Sequence, residues 1–316
     1  MSTVDEGFPG ADPDRVSPPV VAVLGPGGVG GALAVKLARA GCRVVCVGRP
    51  DTVAAIRRSG LRLETPEGAA EARPEAVERL DHPVSLLIVA VKATSLPEAL
   101  ERVELFAVAD GVVLTLLNGL EHPDVVRREL GNRVAPGSIS RFEGYRSGPA
   151  AIVQTTRRPR ITAASDDLTA EEVEHALSPL RAADVDVVVL ADERAVLWEK
   201  AARMAPLAAA TVASGLTVGA LRADPAWVER VRAGVVEACE VAAADGVAIS
   251  PASELGIIEA MPETLTSSTA RDVAAGRPSE LDAVVGSVVR AGERLGVPVP
   301  VLRALLEDAE AACRGR

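Results

Sequence analysis

The chain has few aromatic side chains, few histidines and few cysteines for its 316 residues. With only three Phe, two Trp and one Tyr, it predicts helices that pack through small side chains. No apolar run reaches the roughly 18–20 residues that span a bilayer, so we expect no membrane segment. The net charge of −10 argues against a nucleic-acid partner, because neutralising phosphates requires clustered basic residues.

The scarce histidines and cysteines also exclude some chemistry. His82, His122 and His175 are scattered and form no H-E-x-x-H pattern, so no metal site is predicted. The four cysteines form no C-x-x-C pair, and we expect them to be buried and reduced, as in a cytoplasmic protein. Residues 1–19 lack the charged start and apolar centre of a secretory signal, and we interpret them as a flexible tail.

Short apolar runs alternate with helical patterns in the first 190 residues. The run at 20–24 is followed by a helical pattern at 28–40 that ends before Gly41. Further strands are predicted at 43–47, 84–91, 111–117 and 184–190, and residues 144–161 are rich in β-branched side chains and glycine. This alternation predicts a Rossmann-type α/β domain at 20–190 with a mostly parallel sheet.

The pattern becomes helical throughout after Asp192. Helices are predicted at 194–213, 225–245, 251–260, 268–275, 279–295 and 301–314. We therefore expect an all-α C-terminal domain at 191–316. Its helices are rich in Ala and Val, and these could either support a homodimer or build the domain's own core.

The sequence GPGGVG follows the first strand, at residues 25–30. Its G-x-G-x-x-G spacing is informative because a strand precedes it and a helix follows it. Gly25 permits a tight turn, Gly27 lets the backbone approach a pyrophosphate, and Gly30 allows the helix to pack closely on the strand. Gly28 and Val29 open the helix, whose free N–H groups attract phosphate. The loop therefore predicts dinucleotide binding.

Arg49 follows the second strand, where an NAD-binding protein usually has Asp or Glu for the ribose 2′-hydroxyl. A guanidinium group suits a 2′-phosphate, so we predict NADP(H) as the cofactor. Asp51 is close by, and Arg49 could also be a solvated loop residue.

Polar groups follow two more strands of the predicted sheet. Lys92 comes after the run at 84–91, and Asn118 after the run at 111–117. Ligands of open parallel sheets lie outside the carboxyl ends of the strands. These residues and the glycine loop should therefore share one edge.

Several motifs together resemble the ketopantoate reductase (2-dehydropantoate 2-reductase) family. They are VKA at 91–93, LNGL at 117–120, LWEK at 197–200, TSS at 266–268, DV at 272–273, GRPSELD at 276–282 and LGVPVP at 295–300. The resemblance implies a cytoplasmic NADPH-dependent oxidoreductase of the pantothenate pathway, with its active site in the cleft between the two domains and a small keto acid as substrate.

The resemblance also implies roles for matching residues. Lys200 corresponds to a general acid that protonates the carbonyl oxygen, and Glu280 to a glutamate near the nicotinamide ribose and the substrate. Ser268 corresponds to a serine that holds the substrate carboxylate. Lys92 and Asn118 correspond to residues that frame the nicotinamide side of the cleft. From the residues alone, Lys200 could be a surface lysine, Glu280 a first-turn glutamate and Ser268 a helix cap.

The chain departs from the family where asparagines commonly line the pocket. Met204 and Ala208 follow Lys200 by four and eight positions, on the same helix face, and take the place of two amides. Val218 and Leu265 also replace polar groups. Each hydrogen bond lost from a polar substrate typically costs about 1–3 kcal/mol, whereas Met204 offers an adaptable apolar wall.

Three functions remain open at this point. The first is NADPH-dependent reduction of a more apolar 2-oxo acid or related carbonyl compound, with a substrate-contacting role for Met204, Ala208 and the segment 138–148. The second is ketopantoate reduction itself. The third is a non-catalytic NADP-binding sensor or interaction protein, which would tolerate the loss of Lys200.

Overall fold

A computed structural model describes residues 18–314 of the chain. It comprises an α/β domain with a parallel-rich sheet, followed by a domain of helices alone, which confirms the predicted fold class. Residues 1–19, which the sequence analysis interprets as a flexible tail, lie outside the described residues except for Pro18 and Pro19.

The described residues form twelve strands. They are β1 (Val20–Leu24), β2 (Arg43–Val47), β3 (Leu61–Thr65), β4 (Gly68–Ala72), β5 (Glu75–Val77), β6 (Leu86–Val89), β7 (Val112–Thr115), β8 (Val134–Ser140), β9 (Gly144–Gly148), β10 (Ala151–Gln154), β11 (Arg160–Ala163) and β12 (Asp186–Val189).

Helices connect the strands and build the second domain. They are α1 (Gly28–Arg39), α2 (Pro50–Ser59), α3 (Leu96–Leu100), α4 (Leu105–Val108), α5 (His122–Leu130), α6 (Ala170–Ala182), α7 (Glu193–Ser214), α8 (Val218–Ala223), α9 (Pro225–Ala244), α10 (Pro251–Glu259), α11 (Ser268–Ala274), α12 (Ser287–Leu295) and α13 (Pro300–Arg314).

The main sheet has the order β12-β11-β8-β7-β6-β1-β2-β5. Its neighbouring strands are parallel except for β8 and β11, which pair antiparallel. At the end of β1, Leu24 pairs with Val47 of β2 on one side and with Val89 of β6 on the other. The chain changes direction across the sheet here, and such a switch point opens a crevice at the carboxyl ends of the strands.

A second sheet, with the order β4-β3-β10-β9, packs against α1 and was not predicted. Ile152 of β10 is buried against α1, where a side chain on Gly31 would come within 2.9 Å of its Cδ1 atom. Short strands such as β4, with the sequence GAAEA, carry little of the alternating β-branched pattern that signals a strand. The helices α2 to α6 and α8 were also not predicted.

Small side chains let the helices of the second domain approach closely. The long helix α7 lies at its centre, packed against α9 and α13. Gly234 of α9 leaves no room for a side chain, because its Cβ would lie 2.8 Å from Cβ of Pro206. Several alanines of α7 are fully buried, among them Ala202, Ala205 and Ala209. This packing agrees with the expectation drawn from the scarcity of aromatic residues.

Two predicted elements are shorter in the structure. The helix predicted at 279–295 is helical only from about Leu281, with a wide turn at Asp282–Gly286 that continues into α12. The strand predicted at 84–91 covers only Leu86–Val89. The trimmed start of the helix carries Glu280, whose carboxylate accepts a hydrogen bond from the backbone N–H of Ala93 in the other domain.

All four cysteines are free thiols, which agrees with the reduced state expected for them. Cys46 and Cys239 are buried, but Cys42 and Cys313 are only partly buried, so the expected burial was wrong for these two. Burial raises the pKa of the Cys46 thiol to about 12 and that of Cys239 to about 11. Buried thiols of this kind are unreactive.

Candidate functional site

The glycine loop joins β1 to α1 in a conformation that side chains would prevent. Gly25 has φ +86°, and a Cβ there would lie 2.5 Å from Cγ1 of Val91. A Cβ on Gly30 would collide with the carbonyl oxygen of Gly25. Gly27 caps α1 without a side-chain hydrogen bond, so the first N–H groups of the helix, at Gly28 and Val29, remain available to an anion.

Arg49 caps the start of α2, at the carboxyl end of β2. Its exposed guanidinium group donates long hydrogen bonds to Ser95 Oγ (3.3 Å) and Glu98 Oε2 (3.5 Å). Exposed pairs of this geometry contribute little stability, so the group can reorient towards a ligand at low cost. Ser95 and Glu98 carried no sequence signal, because they precede and begin a helix far from β2.

Lys92 bridges the two domains. Its Nζ donates to Asp272 Oδ2 of α11 (2.7 Å) and to the carbonyl oxygen of Pro278 (3.2 Å). Asp272 also accepts from Arg277 Nε at 2.9 Å, so its carboxylate pairs with two cations. The lysine therefore stands at the predicted sheet edge but is held by the helical domain.

Glu280 is buried and joins the same two domains. Its Oε1 accepts from the backbone N–H of Ala93 (2.9 Å), and its Oε2 accepts from Asn118 Nδ2 (3.3 Å). Glu280 precedes the helical segment, but its carboxylate accepts hydrogen bonds from Ala93 and Asn118 and not from the helix N–H groups. The structure thus brings Lys92, Asn118 and Glu280 together, from three distant segments.

Lys200 lies on α7 and lines a small cavity of about 20 Å³. Its Nζ donates to the carbonyl oxygen of Ile139 at 3.5 Å. Burial and the charge of Arg203 lower the pKa of Lys200 to about 8, although the charge of Glu280 acts in the opposite direction. Arg203 lies one turn along α7 and pairs with the buried Glu254 at 2.8 Å. A lysine in this state exchanges protons near neutral pH.

The walls of the cavity are mostly apolar. Its lining comprises Leu117, Asn118, Gly119, Gly137, Ser138, Val196, Leu197, Lys200, Ala201, Met204 and Val284. Polar side chains enter only from Asn118, Ser138 and Lys200 within this lining. The cavity therefore offers one cation and two neutral polar groups beside an apolar surface.

The remaining candidate residues lie in other surroundings. Met204 lines the cavity, but Ala208 is buried one turn further along α7 and does not. Ser268 is exposed at the first position of α11. The neighbouring Ser267 is buried, caps α11 through Ala270 N–H and shares a 2.8 Å hydrogen bond with the hydroxyl of Thr211. Val218 is buried, and its N–H donates to the Leu265 carbonyl oxygen at 2.8 Å.

Within residues 18–314, no group of three His, Cys, Asp or Glu side chains is arranged to hold a metal ion. None of the helices in this part of the chain combines the length and hydropathy of a membrane span.

Comparison with known proteins adds to this geometry. Residues 21–166 match the family described as ketopantoate reductase PanE/ApbA, and residues 192–311 match its C-terminal counterpart. The crystal structure of a PanE/ApbA family ketopantoate reductase from Ralstonia eutropha JMP134 is 30% identical, with a TM-score of 0.84 over 94% of this chain and 99% of that chain.

Two further proteins resemble this chain. The 2-dehydropantoate 2-reductase of Mycobacterium tuberculosis is 28% identical over 300 residues, covering 93% of this chain and 98% of that protein. A D-mandelate dehydrogenase, solved with NADH and anilino(oxo)acetate, shares the fold at 20% identity, with a TM-score of 0.85 over 94% of this chain and 99% of that chain.

Proposed function

Since the chain belongs to the ketopantoate reductase family of oxidoreductases, we propose that it uses NADPH to reduce the carbonyl group of a 2-oxo acid with an apolar side chain. One observation carries the proposal: Lys200, with a pKa lowered to about 8, lines a cavity whose other side chains are mostly apolar. Asn118 in the same wall connects this cavity to the edge of the sheet that bears the glycine loop.

The residues present fit a dinucleotide. The uncapped N-terminus of α1 suits a pyrophosphate. Side chains at positions 25 and 30 would collide with neighbouring atoms, so the tight loop beside the pyrophosphate requires Gly25 and Gly30. The exposed Arg49 at the next strand end suits a 2′-phosphate. Bound there, NADPH supplies the hydride that the carbonyl carbon receives.

Lys200 supplies the other half of the reaction. As the carbonyl carbon gains a hydride, its oxygen gains negative charge, and the ammonium Nζ donates a proton to that oxygen. The product is a hydroxyl group, and Lys200 is left as a neutral amine that takes a proton from water. The Ile139 carbonyl oxygen holds Nζ in the cavity wall, while Asn118 and Ser138 offer hydrogen bonds to the polar end of the substrate.

Met204 is the basis for the predicted substrate class. Where the family commonly has an asparagine, this chain presents a thioether to the cavity. We expect kcat/KM for 4-methyl-2-oxopentanoate or phenylglyoxylate to exceed that for ketopantoate about tenfold or more, because each missing hydrogen bond costs about 1–3 kcal/mol. Initial rates of NADPH oxidation across this panel measure it.

A pair of methionine variants sharpens the substrate test. Met204→Asn should raise kcat/KM for ketopantoate and lower it for the apolar acids, whereas Met261→Asn, outside the cavity lining, should change neither. If the unmodified protein prefers ketopantoate, the second candidate, ketopantoate reductase proper, is correct, as the name of the Mycobacterium tuberculosis relative favours. No turnover of any 2-oxo acid, with NADPH bound, would favour a non-catalytic role.

Arg49→Gln should raise the KM for NADPH about 10- to 100-fold, since hydrogen bonds to charged groups contribute about 1.5–3 kcal/mol. The KM for NADH should stay unchanged, because NADH has no 2′-phosphate. Arg43→Gln is the matched control. Arg43 begins β2, the strand that ends just before Arg49; it is also exposed and pairs with Glu75 at 3.1 Å. A preference of the unmodified protein for NADH would contradict the NADP assignment.

A further inference from the structure

His122 is a buried histidine that the proposed chemistry does not use. It is the first residue of α5 and only 4% exposed. Both ring nitrogens, Nδ1 and Nε2, are enclosed and lack a hydrogen-bond partner among the described residues. Buried polar atoms in proteins are nearly always hydrogen-bonded, so a ring with two such atoms calls for an explanation.

His122 lies close in the chain to the wall of the cavity that Lys200 lines. It follows the wall residues Asn118 and Gly119 by a few positions in the chain. It also begins the buried stripe of α5, which continues with Val126 and Leu130 at i+4 and i+8. An apolar residue would complete this stripe at no cost in desolvation, yet the sequence has an imidazole there.

Burial and the nearby positive charges keep His122 neutral. Burial, Lys200 of α7 and Arg127 of its own helix together lower the pKa of His122 to about 3. A neutral imidazole has one N–H donor and one nitrogen that accepts. At neutral pH it can therefore accept a hydrogen bond from a nearby cation.

Of the two cations near His122, Lys200 has more N–H donors available for a further hydrogen bond. Arg127 donates to Glu193 at 2.9 and 2.6 Å and to Asp167 at 2.8 Å. The ammonium of Lys200 has three N–H groups, and its hydrogen bond to the Ile139 carbonyl oxygen is long, at 3.5 Å.

We propose that His122 is a positioning residue for Lys200. Its neutral imidazole accepts a hydrogen bond that originates on the Lys200 ammonium and passes through one water molecule. A buried water of this kind satisfies polar groups that have no protein partner. The link holds Nζ towards the carbonyl oxygen of the substrate and stabilises the ammonium form. Its catalytic consequence rests on the proposed function.

A second unsatisfied group lies on the same side of the sheet. Thr115 of β7 is fully buried, and its hydroxyl lacks a hydrogen-bond partner in the described part of the chain. By strand alternation Thr115 shares a face of β7 with Val113, which belongs to a core cluster with the α5 residue Val126. Two polar side chains without protein partners among the described residues therefore lie on one face of the sheet.

Kinetics of His122 variants test the link. His122→Phe should lower kcat about tenfold and shift the alkaline limb of the kcat profile about one pH unit lower, because the ammonium loses an acceptor. KM should stay within about twofold, since phenylalanine leaves the cavity lining intact. His122→Gln keeps a donor and an acceptor and should restore most of the rate. His175→Phe, at an exposed site, is the matched control and should change nothing.

A titration without substrate separates this proposal from the proposed function. The chain has only three lysines, Lys36, Lys92 and Lys200, so their side-chain carbon signals can be followed individually by NMR. In the protein without cofactor, the pKa of Lys200 should fall in His122→Phe and return in His122→Gln, with the Lys36 and Lys92 signals as internal references. The charges of Arg203 and Glu280, which also act on Lys200, are unchanged in both variants.

The outcomes can be told apart. If the unmodified protein reduces no 2-oxo acid, the proposed function fails, and the NMR shift alone decides the role of His122. An unchanged Lys200 pKa in folded His122→Phe, with a normal melting temperature, would overturn the positioning role. If His122→Phe does not fold, His122→Leu and His122→Gln provide the same comparison, and equal Lys200 pKa values in these two variants would overturn it.

Discussion

Replacing Lys200 with methionine is expected to lower kcat for 2-oxo acid reduction about 10²- to 10⁴-fold, the usual contribution of a positioned general acid. Methionine keeps the length and the apolar contacts of the side chain but has no proton to donate. Titration with NADPH should give an unchanged affinity, because the glycine loop and Arg49 lie outside this cavity. A loss of turnover with retained binding separates a role in chemistry from one in cofactor binding.

The protonation state of Lys200 sets the direction in which the rate of reduction changes with pH. Its pKa is lowered to about 8, so reduction should slow as the pH rises through that value and the ammonium becomes a neutral amine. The residual activity of Lys200→Met should lack this alkaline limb. Because the folded state lowers the pKa of Lys200, protonation of this lysine destabilises the folded state increasingly as the pH falls from 10.5 to about 8. The full destabilisation is present at pH 7. Lys200→Met should therefore also raise the melting temperature at pH 7.

Lys36→Met is the matched control for this substitution. Lys36 lies in the last turn of α1, away from the glycine loop and outside the cavity. Its substitution makes the same chemical change as Lys200→Met. It should leave kcat, the pH profile and NADPH affinity unchanged. If Lys200→Met retains turnover within about threefold of the unmodified protein, the general-acid assignment is wrong.

Replacing Arg127 with methionine is expected to lower the free energy of unfolding by about 3–5 kcal/mol. Arg127 of α5 donates to both oxygens of Glu193, at 2.9 and 2.6 Å, and Glu193 is only 5% exposed. Without the guanidinium group, this carboxylate stays buried with the Asp166 N–H, at 3.1 Å, as its remaining hydrogen-bond donor. The ion pair ties α5 to the first turn of α7, the helix that carries Lys200.

Urea denaturation of three variants isolates the ion pair. Arg128→Met, at the exposed neighbouring position, should be nearly neutral. The double variant Arg127→Met with Glu193→Leu should recover much of the lost stability, because no unpaired charge remains buried. A loss below about 1 kcal/mol in Arg127→Met would show that water replaces the guanidinium group, against the burial seen here.

Local patterns explain which parts of the fold could be predicted. The glycine loop, the buried strands β1 and β2 and the long helices α7 and α9 depend on turn chemistry and periodicity within a few residues. The strands β3, β4 and β9 were missed because they are short and half-exposed and stabilise each other only as a sheet. Helix α5 was missed because its buried stripe begins with a histidine instead of an apolar residue.

The sequence by itself determined the fold class, the dinucleotide loop and the family, since these depend on contiguous motifs. Only the tertiary structure decided how the site is assembled. It pairs Lys92 with Asp272 across 180 residues and Asn118 with Glu280 across 162 residues. Neither strand endings nor helix periodicity contain such contacts, because they depend on how two domains pack. The pKa of Lys200 likewise depends on burial and on the neighbouring charges of Arg203 and Glu280, which exist only once the chain has folded.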